Sequence, residues 1–462
     1  MSDSESAPDQ RLTPGTNDME AWVRHYGITE VECLVPDMAG IPRGKILPAD
    51  KFLRGYFDDT HRIPESVFSQ TVTGDYPSIN ADILDPADID VLMRPDPASV
   101  RLVPWYPEPT AQVICDCAYP SGRPVAIAPR QVLKRVVSLF RQRGWEPVVA
   151  PEVEFFLVKT NADPDYPLEP PVGRSGRPET GRQSFGIDAV NEFDPLFEDV
   201  YDYCDAQGID VDTLNHEAGA AQMEINFRHG DPVELADQVF LFKRTLRQTA
   251  VRHNVYATFM AKPLQHEPGS AMHIHQSIMA EGRSIFTDPE GSDTDAFRAY
   301  IAGLQRYTKG VLPLIAPNVN SFRRLSPYVQ DTSVNVQWGR ENRTCGLRVP
   351  QSAPEDRRIE YRLPGADANP YLAIAASLIA GYLGMVHALT PTEPVTGSAY
   401  KLPNDMPAHI LDALRHLEAT PELSESLGEA FVRMLIAVKS EEYDTYQRVI
   451  SSWEREFLLL NV

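Results

Sequence analysis

Four separated stretches of this chain alternate apolar and chemically active side chains with a two-residue period, and this pattern constrains the fold more than any other feature. Successive side chains of a β-strand point to opposite faces. In Val148–Leu157 that geometry puts Glu152 and Glu154 on one face and Val153 and Phe155 on the other. Gln222, Glu224 and Asn226 oppose Met223, Ile225 and Phe227, with Glu217 just upstream. His273 and His275 share a face in Met272–Ser277, and Glu360 and Arg362 oppose Ile359, Tyr361 and Leu363 in Arg358–Leu363. A single strand of this kind reads as an amphipathic strand with its polar side in water. Four of them, carrying Glu, His and Arg in place of the usual Thr and Lys, read as the walls of one polar concavity.

Such a concavity has a charge problem. Glu152, Glu154, Glu217, Glu224 and Glu360 cannot stay ionised together, because like charges a few ångströms apart force protonation. Bound dications resolve it, and an oxygen-rich set with one imidazole suits Mg²⁺ or Mn²⁺ better than zinc. A run of arginines, Arg323, Arg324, Arg340, Arg343, Arg348, Arg357, Arg358 and Arg362, follows in the sequence. Some are ordinary surface residues. Arginines beside a carboxylate-metal site suit bidentate grips on phosphate and carboxylate, which points to phosphoryl transfer. The segment Gly40-Ile-Pro-Arg-Gly44-Lys45-Ile46 is not the nucleotide loop it resembles: three residues separate its glycines where four are needed, and Ile46 replaces the metal-binding hydroxyl.

The rest of the chain bounds the setting. Its net charge of −22 repels phosphate backbones and anionic lipid, so neither a nucleic acid nor a membrane is expected as a partner. The first nineteen residues read as a flexible tail without a targeting signal. Five cysteines with no C-x-x-C pair argue for a reducing cytoplasm and against a disulfide framework. Tyr371–Leu389 is apolar enough to attract a hydropathy scan, yet Ala, Ser and Gly dilute it and Pro370 suits a first helical turn, so a buried helix is expected. Short strands are expected around Ala39 and Gly40 within Val31–Pro48. Arg94–Pro109 should interrupt regular structure, with a domain boundary near residue 116. Pro129 should start an amphipathic helix that ends at Gly144, and another should follow Asp231-Pro232. Asn161–Arg182, rich in Pro, Gly and charge, is too long for a simple connection and has the composition of a functional loop.

The ordered set of passages Pro151-Glu-Val-Glu154, Asn215-His-Glu217 with Gln222-Met-Glu224, Gly269-Ser-Ala-Met-His-Ile-His275, Ala316-Pro-Asn-Val-Asn-Ser-Phe-Arg-Arg-Leu325, Asn342-Arg343, Leu347-Arg-Val-Pro350, and Arg358-Ile-Glu-Tyr-Arg362 with Gly365-Ala-Asp-Ala-Asn-Pro-Tyr371 resembles the glutamine synthetase family, from about residue 20 onward. The resemblance implies an α+β fold, with a small N-terminal β-grasp domain over 20–116 and a catalytic domain over 117–462 built on an open, mostly antiparallel β-barrel. It implies stacked hexameric rings, a dodecamer, with active sites shared between subunits. It also implies ATP, two or more Mg²⁺ or Mn²⁺ ions per site, glutamate and an amine. By position, Glu154, Glu217 and Glu224 would hold one metal, and Glu152, His273 and Glu360 a second. Arg343 and Arg348 would face the transferring phosphate with Arg358 nearby. Gly269, Arg324 and Arg362 would grip glutamate, and His275 and Ser277 would lie near the nucleotide. The implied chemistry is a γ-glutamyl phosphate followed by attack of an amine.

Departures from the family pattern fall on the amine side. The ammonium-binding Phe-Asp-Gly-Ser-Ser motif reads Ile63-Pro-Glu-Ser-Val-Phe68 here, the flap reads Pro327-Tyr-Val-Gln-Asp-Thr332, and Ser184-Phe185 stands in place of Tyr-Phe. A larger amine than ammonia is therefore expected, with Glu65 or Asp331 paired to a distal ammonium, and Phe68, Ser184 and Phe185 along the chain. Arg43-Gly-Lys45, Ala261-Lys-Pro263 and Gln337-Trp-Gly339 are similar to γ-glutamylpolyamine synthetases. A γ-glutamylmonoamide synthetase and an ammonia-using enzyme are the nearer alternatives; a metal-dependent amidohydrolase and a silent paralogue are more distant ones. Tyr400-Lys-Leu-Pro403 resembles a loop adenylylated in some family members, and reads equally well as an exposed loop tyrosine.

Overall fold

The computed structural model describes residues 18–79, 82–179, 181–326, 333–400, 402 and 406–462. Its N-terminal part is a six-stranded sheet. Strands β1 (Glu30–Pro36) and β2 (Pro42–Pro48) form an antiparallel hairpin, as the sequence predicts. Asp37 organises the turn: its Oδ1 accepts the amides of Ala39 and Ile41, and its Oδ2 accepts Arg43 Nε at 2.8 Å. Gly44 is required by close approach, since a Cβ there would lie 1.7 Å from the Cys33 carbonyl oxygen. The loop-like glycine spacing thus belongs to a strand and not to a phosphate cradle. Strands β3 (Arg62–Pro64), β4 (Asp90–Pro95), β5 (Arg101–Leu102) and β6 (Thr110–Ala118) complete the sheet, with β6 parallel to β1 and antiparallel to β4.

Three sequence expectations shift here. Arg94–Pro109 is not wholly irregular, because β4 runs to Pro95 and β5 lies within it. Residue 116 falls inside β6, whose Asp116 pairs with Arg94 in the ladder. Met19, assigned by sequence to the tail, opens the helix Met19–His25 and is fully buried with Trp22 and Val23.

A nine-stranded sheet forms the larger part, in the order β13-β14-β15-β11-β7-β9-β8. These are β7 (Glu146–Lys159), β8 (Val211–His216), β9 (Gln222–Phe227), β11 (Met272–Ala280), β13 (Trp338–Arg340), β14 (Leu347–Val349) and β15 (Ile359–Tyr361), with β10 (Val255–Thr258) on β7 and β12 (Arg283–Ser284) on β11. Every ladder is antiparallel except β13–β14. Among the described residues β13 and β8 share no ladder, so the curled sheet stays open.

Helices cover its apolar face. Pro129–Arg141 and Pro232–Arg252 lie where the proline and cap signals place them, and Asp231 caps the latter through the amides of Val233 and Glu234. Helix Pro370–Val386 is buried along nearly its whole length. It packs on helix Asp295–Ile315 closely enough that a Cβ on Gly303 would meet the Ala380 carbonyl at 2.2 Å. No helix among the described residues is long and apolar enough to cross a membrane. Buried Arg130 joins the two parts, pairing with Asp96 just after β4, with Asp116 of β6 and with Asp237 of helix Pro232–Arg252 at 2.7–2.8 Å. The five cysteines are buried and unpaired.

Candidate active site

The strand register converts the sequence alternation into a cluster. Across β7 and β9 Glu154 lies directly opposite Glu224, and Glu152 opposite Asn226. Across β7 and β11 His273 faces Glu152. Glu360 on β15 lies opposite His275 on one side and Arg348 on the other. Two carboxylates placed opposite each other destabilise a sheet, so the Glu154–Glu224 pair calls for neutralisation, by protonation or by bound positive charge.

These strands wall a cavity of about 260 Å³ lined by Glu152, Glu154, Glu217, Glu224 and His273, by Gly269, Arg324, Arg343, Arg348 and Arg362, and by Phe185 on the rim. Ligand atoms of Glu152, His273 and Glu360 lie within 4.8 Å of one another, and so do those of Glu154, Glu224 and His273. The first trio is the set expected for one metal. The second contains two of the three expected for the other, with Glu217 on the same cavity wall.

Electrostatics explains what this donor set needs. Burial, then the neighbouring Glu217, pushes Glu154 up to about 8. Burial and the surrounding carboxylates Glu152, Glu154, Glu217 and Glu360 push Glu224 up to about 10. Burial and the charge of Arg362 bring His273 down to about 4, leaving a neutral imidazole with a free lone pair at pH 7. Burial is the largest single influence on Glu360 and would raise it, but Arg362 together with His273 and His275 outweighs burial and brings Glu360 down to about 2. Suppressed carboxylate charge beside a neutral imidazole is a donor set that fits hard divalent ions.

The arginines divide by function. Arg348 Nη1 donates to Glu360 at 2.6 Å, and Arg362 pairs with the other oxygen of Glu360. The Nε atoms of both are buried without a hydrogen-bond partner, as donors reserved for an anion would be. Buried Arg324 donates to the carbonyls of Leu363 and Arg362 at 2.8 and 3.0 Å, and a Cβ on Gly269 would come within 2.6 Å of its Cγ. Arg340 and Arg357 instead pair with Asp293, and Arg323 reaches the Tyr446 hydroxyl; these three serve structure.

His275 is wired from both sides. Arg358 Nε donates to its Nδ1 at 3.1 Å, which leaves the proton on Nε2, 2.9 Å from Glu152. Ser277 donates to the Arg357 carbonyl at 2.9 Å. Neither these residues nor Arg358 lines the cavity itself.

The amine-side expectations fare differently. Phe185 lines the rim, 70% exposed and next to exposed Ser184. Glu65 and Phe68 do not join them. Glu65 is 2% exposed and accepts the Tyr119 hydroxyl, and Phe68 is fully enclosed in the N-terminal core. Neither presents a surface to an amine. Asp331 lies outside the described residues. Sequence reasoning gave no role to Gln222, whose amide reaches Glu154 and the Gly269 carbonyl at 3.2 and 3.0 Å, although its place on the Glu224 face carried the signal. Ser333 also lines the cavity and lies in a stretch without periodicity.

A buried carboxylate and imidazole cluster beside unpaired guanidinium donors, in a curled antiparallel sheet, defines a metal-dependent enzyme acting on anionic substrates. The glutamine synthetase catalytic domain matches residues 126–458, and the chain belongs to the glutamine synthetase family. In an alignment of 476 positions that covers 99% of this chain and 97% of the relative, it is 33% identical to gamma-glutamylputrescine synthetase PuuA of Escherichia coli (strain K12). It is 32% identical to the glutamine synthetase of Pyrococcus abyssi, over 90% of each chain. Two solved structures superpose closely. Ligand-free GmaS has a TM-score of 0.80 and the GmaS complex with ADP 0.81, each at 27% identity and covering 97% of this chain and all of theirs. The protein is an ATP-dependent γ-glutamyl ligase with the family's fold, using ATP, divalent metal, glutamate and an amine. That membership removes the amidohydrolase alternative.

Proposed function

We propose that this ligase joins the γ-carboxylate of glutamate to a polyamine of the putrescine or spermidine class, as a step of polyamine catabolism. The observation that carries the choice of amine is the rim at Ser184-Phe185. An exposed aromatic face lines the cavity mouth there beside a small serine, which gives a methylene chain room and apolar surface that ammonia does not need. The nearly full-length likeness to gamma-glutamylputrescine synthetase supports the same reading, and a net charge of −22 favours encounter with a cationic amine.

In this reading Arg324 and Arg362, with backbone at Gly269, hold glutamate. Arg343 and Arg348 meet the phosphate in transfer, and Arg358, His275 and Ser277 support the nucleotide side. A glutamate carboxylate oxygen bonds to the γ-phosphorus of ATP as the bond to the ADP oxygen breaks. The uncharged amine then attacks the acyl carbon, the bond to phosphate breaks, and the amine's proton is released. Glu154, Glu217 and Glu224, and Glu152, His273 and Glu360, would hold the divalent ions, which would supply charge neutralisation of the polyphosphate. Arg348 and Arg362 are held before reaction by Glu360, and Arg324 by backbone carbonyls, which lowers the cost of orienting them in the transition state.

The decisive experiment is ATP-dependent phosphate release with glutamate and a panel of putrescine, spermidine, ethanolamine, simple monoamines and ammonia. Putrescine or spermidine should give the highest kcat/KM. Equal or better turnover with ammonia overturns the reading. Preference for a monoamine supports the second reading, a γ-glutamylmonoamide synthetase, which the superposition on GmaS favours.

Three further assignments accompany this proposal. The β-grasp unit ends after β6, within 119–128, before the helix Pro129–Arg141. The chain assembles into stacked hexameric rings, a dodecamer with shared sites. Helix Ser452–Leu458 supports assembly, because none of its residues is buried and Trp453, Phe457, Leu459 and Leu460 are exposed; such a surface fits a second copy of this chain. Removing residues 449–462 should lower the mass measured by light scattering, and an unchanged mass would refute that contact. Five buried, unpaired thiols support a cytoplasmic location.

A further inference from the structure

The proline- and glycine-rich connection after β7 carries one acid that is only 9% exposed, Glu179. Its Oε1 lies 2.7 Å from Nε2 of His216, and its Oε2 accepts the Ala221 amide at 3.0 Å. Fully buried His216 in turn places Nδ1 2.6 Å from the carbonyl oxygen of Glu217. The imidazole thus bridges the Glu179 carboxylate and the Glu217 carbonyl through its two ring nitrogens. One carboxylate therefore grips the turn that carries Glu217 at both ends, at His216 and at Ala221.

That turn is strained. Ala221 has φ +53°, a left-handed conformation that a residue with a Cβ adopts at a cost. A second non-glycine residue in the left-handed region, Phe185 at φ +61°, donates its amide to the His216 carbonyl at 2.9 Å. The strained rim residue and the strained turn thus share His216, and Glu179 secures it. Nothing in the catalytic reading uses Glu179, and it does not line the cavity.

We infer that Glu179 is a positioning residue that holds Glu217 in the metal cluster and, through His216, couples the Phe185 rim to that cluster. The inference rests on Glu217 being a metal ligand and on Phe185 lining the amine side.

The test is Mn²⁺ binding to the purified full chain, followed by the electron paramagnetic resonance of free Mn²⁺, so it is independent of turnover. Wild type should bind at least two Mn²⁺ ions. Glu179→Ala should weaken one of them about tenfold and leave the site of Glu152, His273 and Glu360 unchanged. Glu179→Gln, which keeps one acceptor, should fall between. Adding Ala221→Gly to Glu179→Ala, which removes the left-handed penalty, should recover part of the loss. In turnover Glu179→Ala should raise the amine KM and leave the ATP KM alone. Superimposable Mn²⁺ isotherms for wild type and a folded Glu179→Ala overturn the inference. If that variant does not fold, Glu179→Gln decides by the same comparison. A failed amine panel with altered Mn²⁺ binding would sink the polyamine reading and leave this one standing.

Discussion

The floor of the cavity and its rim are built on different principles. The floor is carried by β7, β9, β11, β14 and β15, where ladder register sets Glu154 against Glu224 and Glu360 against Arg348. The rim at Ser184-Phe185 is loop, held by single hydrogen bonds such as Phe185 N–H to the His216 carbonyl. A strand fixes its side chains through many shared backbone bonds, so the floor tolerates adverse charge placement that a loop could not enforce. The contrast suits a ligase in which one half of the site handles an invariant phosphoryl transfer and the other selects the amine.

The largest test of the floor is to remove its repulsion. Glu154→Gln or Glu224→Gln should reduce kcat on the order of a hundredfold or more through lost metal binding. The same change should raise the melting temperature of the metal-free protein near neutral pH, since a buried carboxyl that folding forces to stay protonated is gone. The pH dependence follows with a definite sign. Both groups have folded values, about 8 and about 10, above the ordinary 4.5. Their contribution to stability is full below about 4.5 and is lost as pH rises through those values. In chelator, the melting temperature should fall as pH rises above neutrality, and saturating Mg²⁺ should flatten the slope. A floor whose stability ignored both substitution and metal would not be a charge trap.

Between floor and rim lies Gly269. A Cβ there would stand 2.6 Å from the Ala261 carbonyl oxygen and from Arg324 Cγ. Gly269→Ala should displace the Arg324 side chain and raise the glutamate KM about tenfold, roughly the effect of 1.4 kcal/mol, with the ATP KM unchanged. Equal increases in both constants would mean that the whole wall had moved.

The same contrast decides what was legible in the sequence. Glu152, Glu154, Glu224, His273 and Glu360 were readable because period two is a property of strands, and each polar residue has an apolar partner beside it that fixes its face. The caps of helices Pro232–Arg252 and Pro370–Val386 were readable because Asp231-Pro232 and Asn369-Pro370 are local signals. Glu65 and Phe68 misled, because motif position says which residue stands at a place and nothing about whether its neighbours enclose it. Tyr119, which satisfies Glu65, is 54 residues away. Glu179 was invisible for a related reason: it acts on His216 across 37 residues from a segment with no periodicity. The strand that overran residue 116 shows the same limit, since β6 ends where its pairing with β4 ends.

Changes at the rim should cost less than changes at the floor. Phe185→Ala removes an exposed ring from the cavity mouth, and losing its contact with a methylene chain should raise the polyamine KM about tenfold, the scale of partial apolar burial. The glutamate and ATP constants should not change, and neither should the melting temperature, because the ring is 70% exposed. An unchanged amine KM would move the specificity determinant elsewhere on the rim.

The smallest effect belongs to the acidic surface. A net charge of −22 draws a polyamine cation toward the protein and opposes the approach of glutamate and ATP, and salt screens both over a Debye length that shrinks from about 30 Å at 0.01 M to about 8 Å at 0.15 M. Across that range kcat/KM for the polyamine should fall a few-fold while that for ATP holds or rises, measured with metal saturating. Neutralising exposed acids such as Asp163 and Asp165 should flatten the dependence without changing kcat at high salt. Opposite slopes for the two substrates distinguish steering by the surface from a direct ion pair at the rim, which salt would weaken for the amine alone.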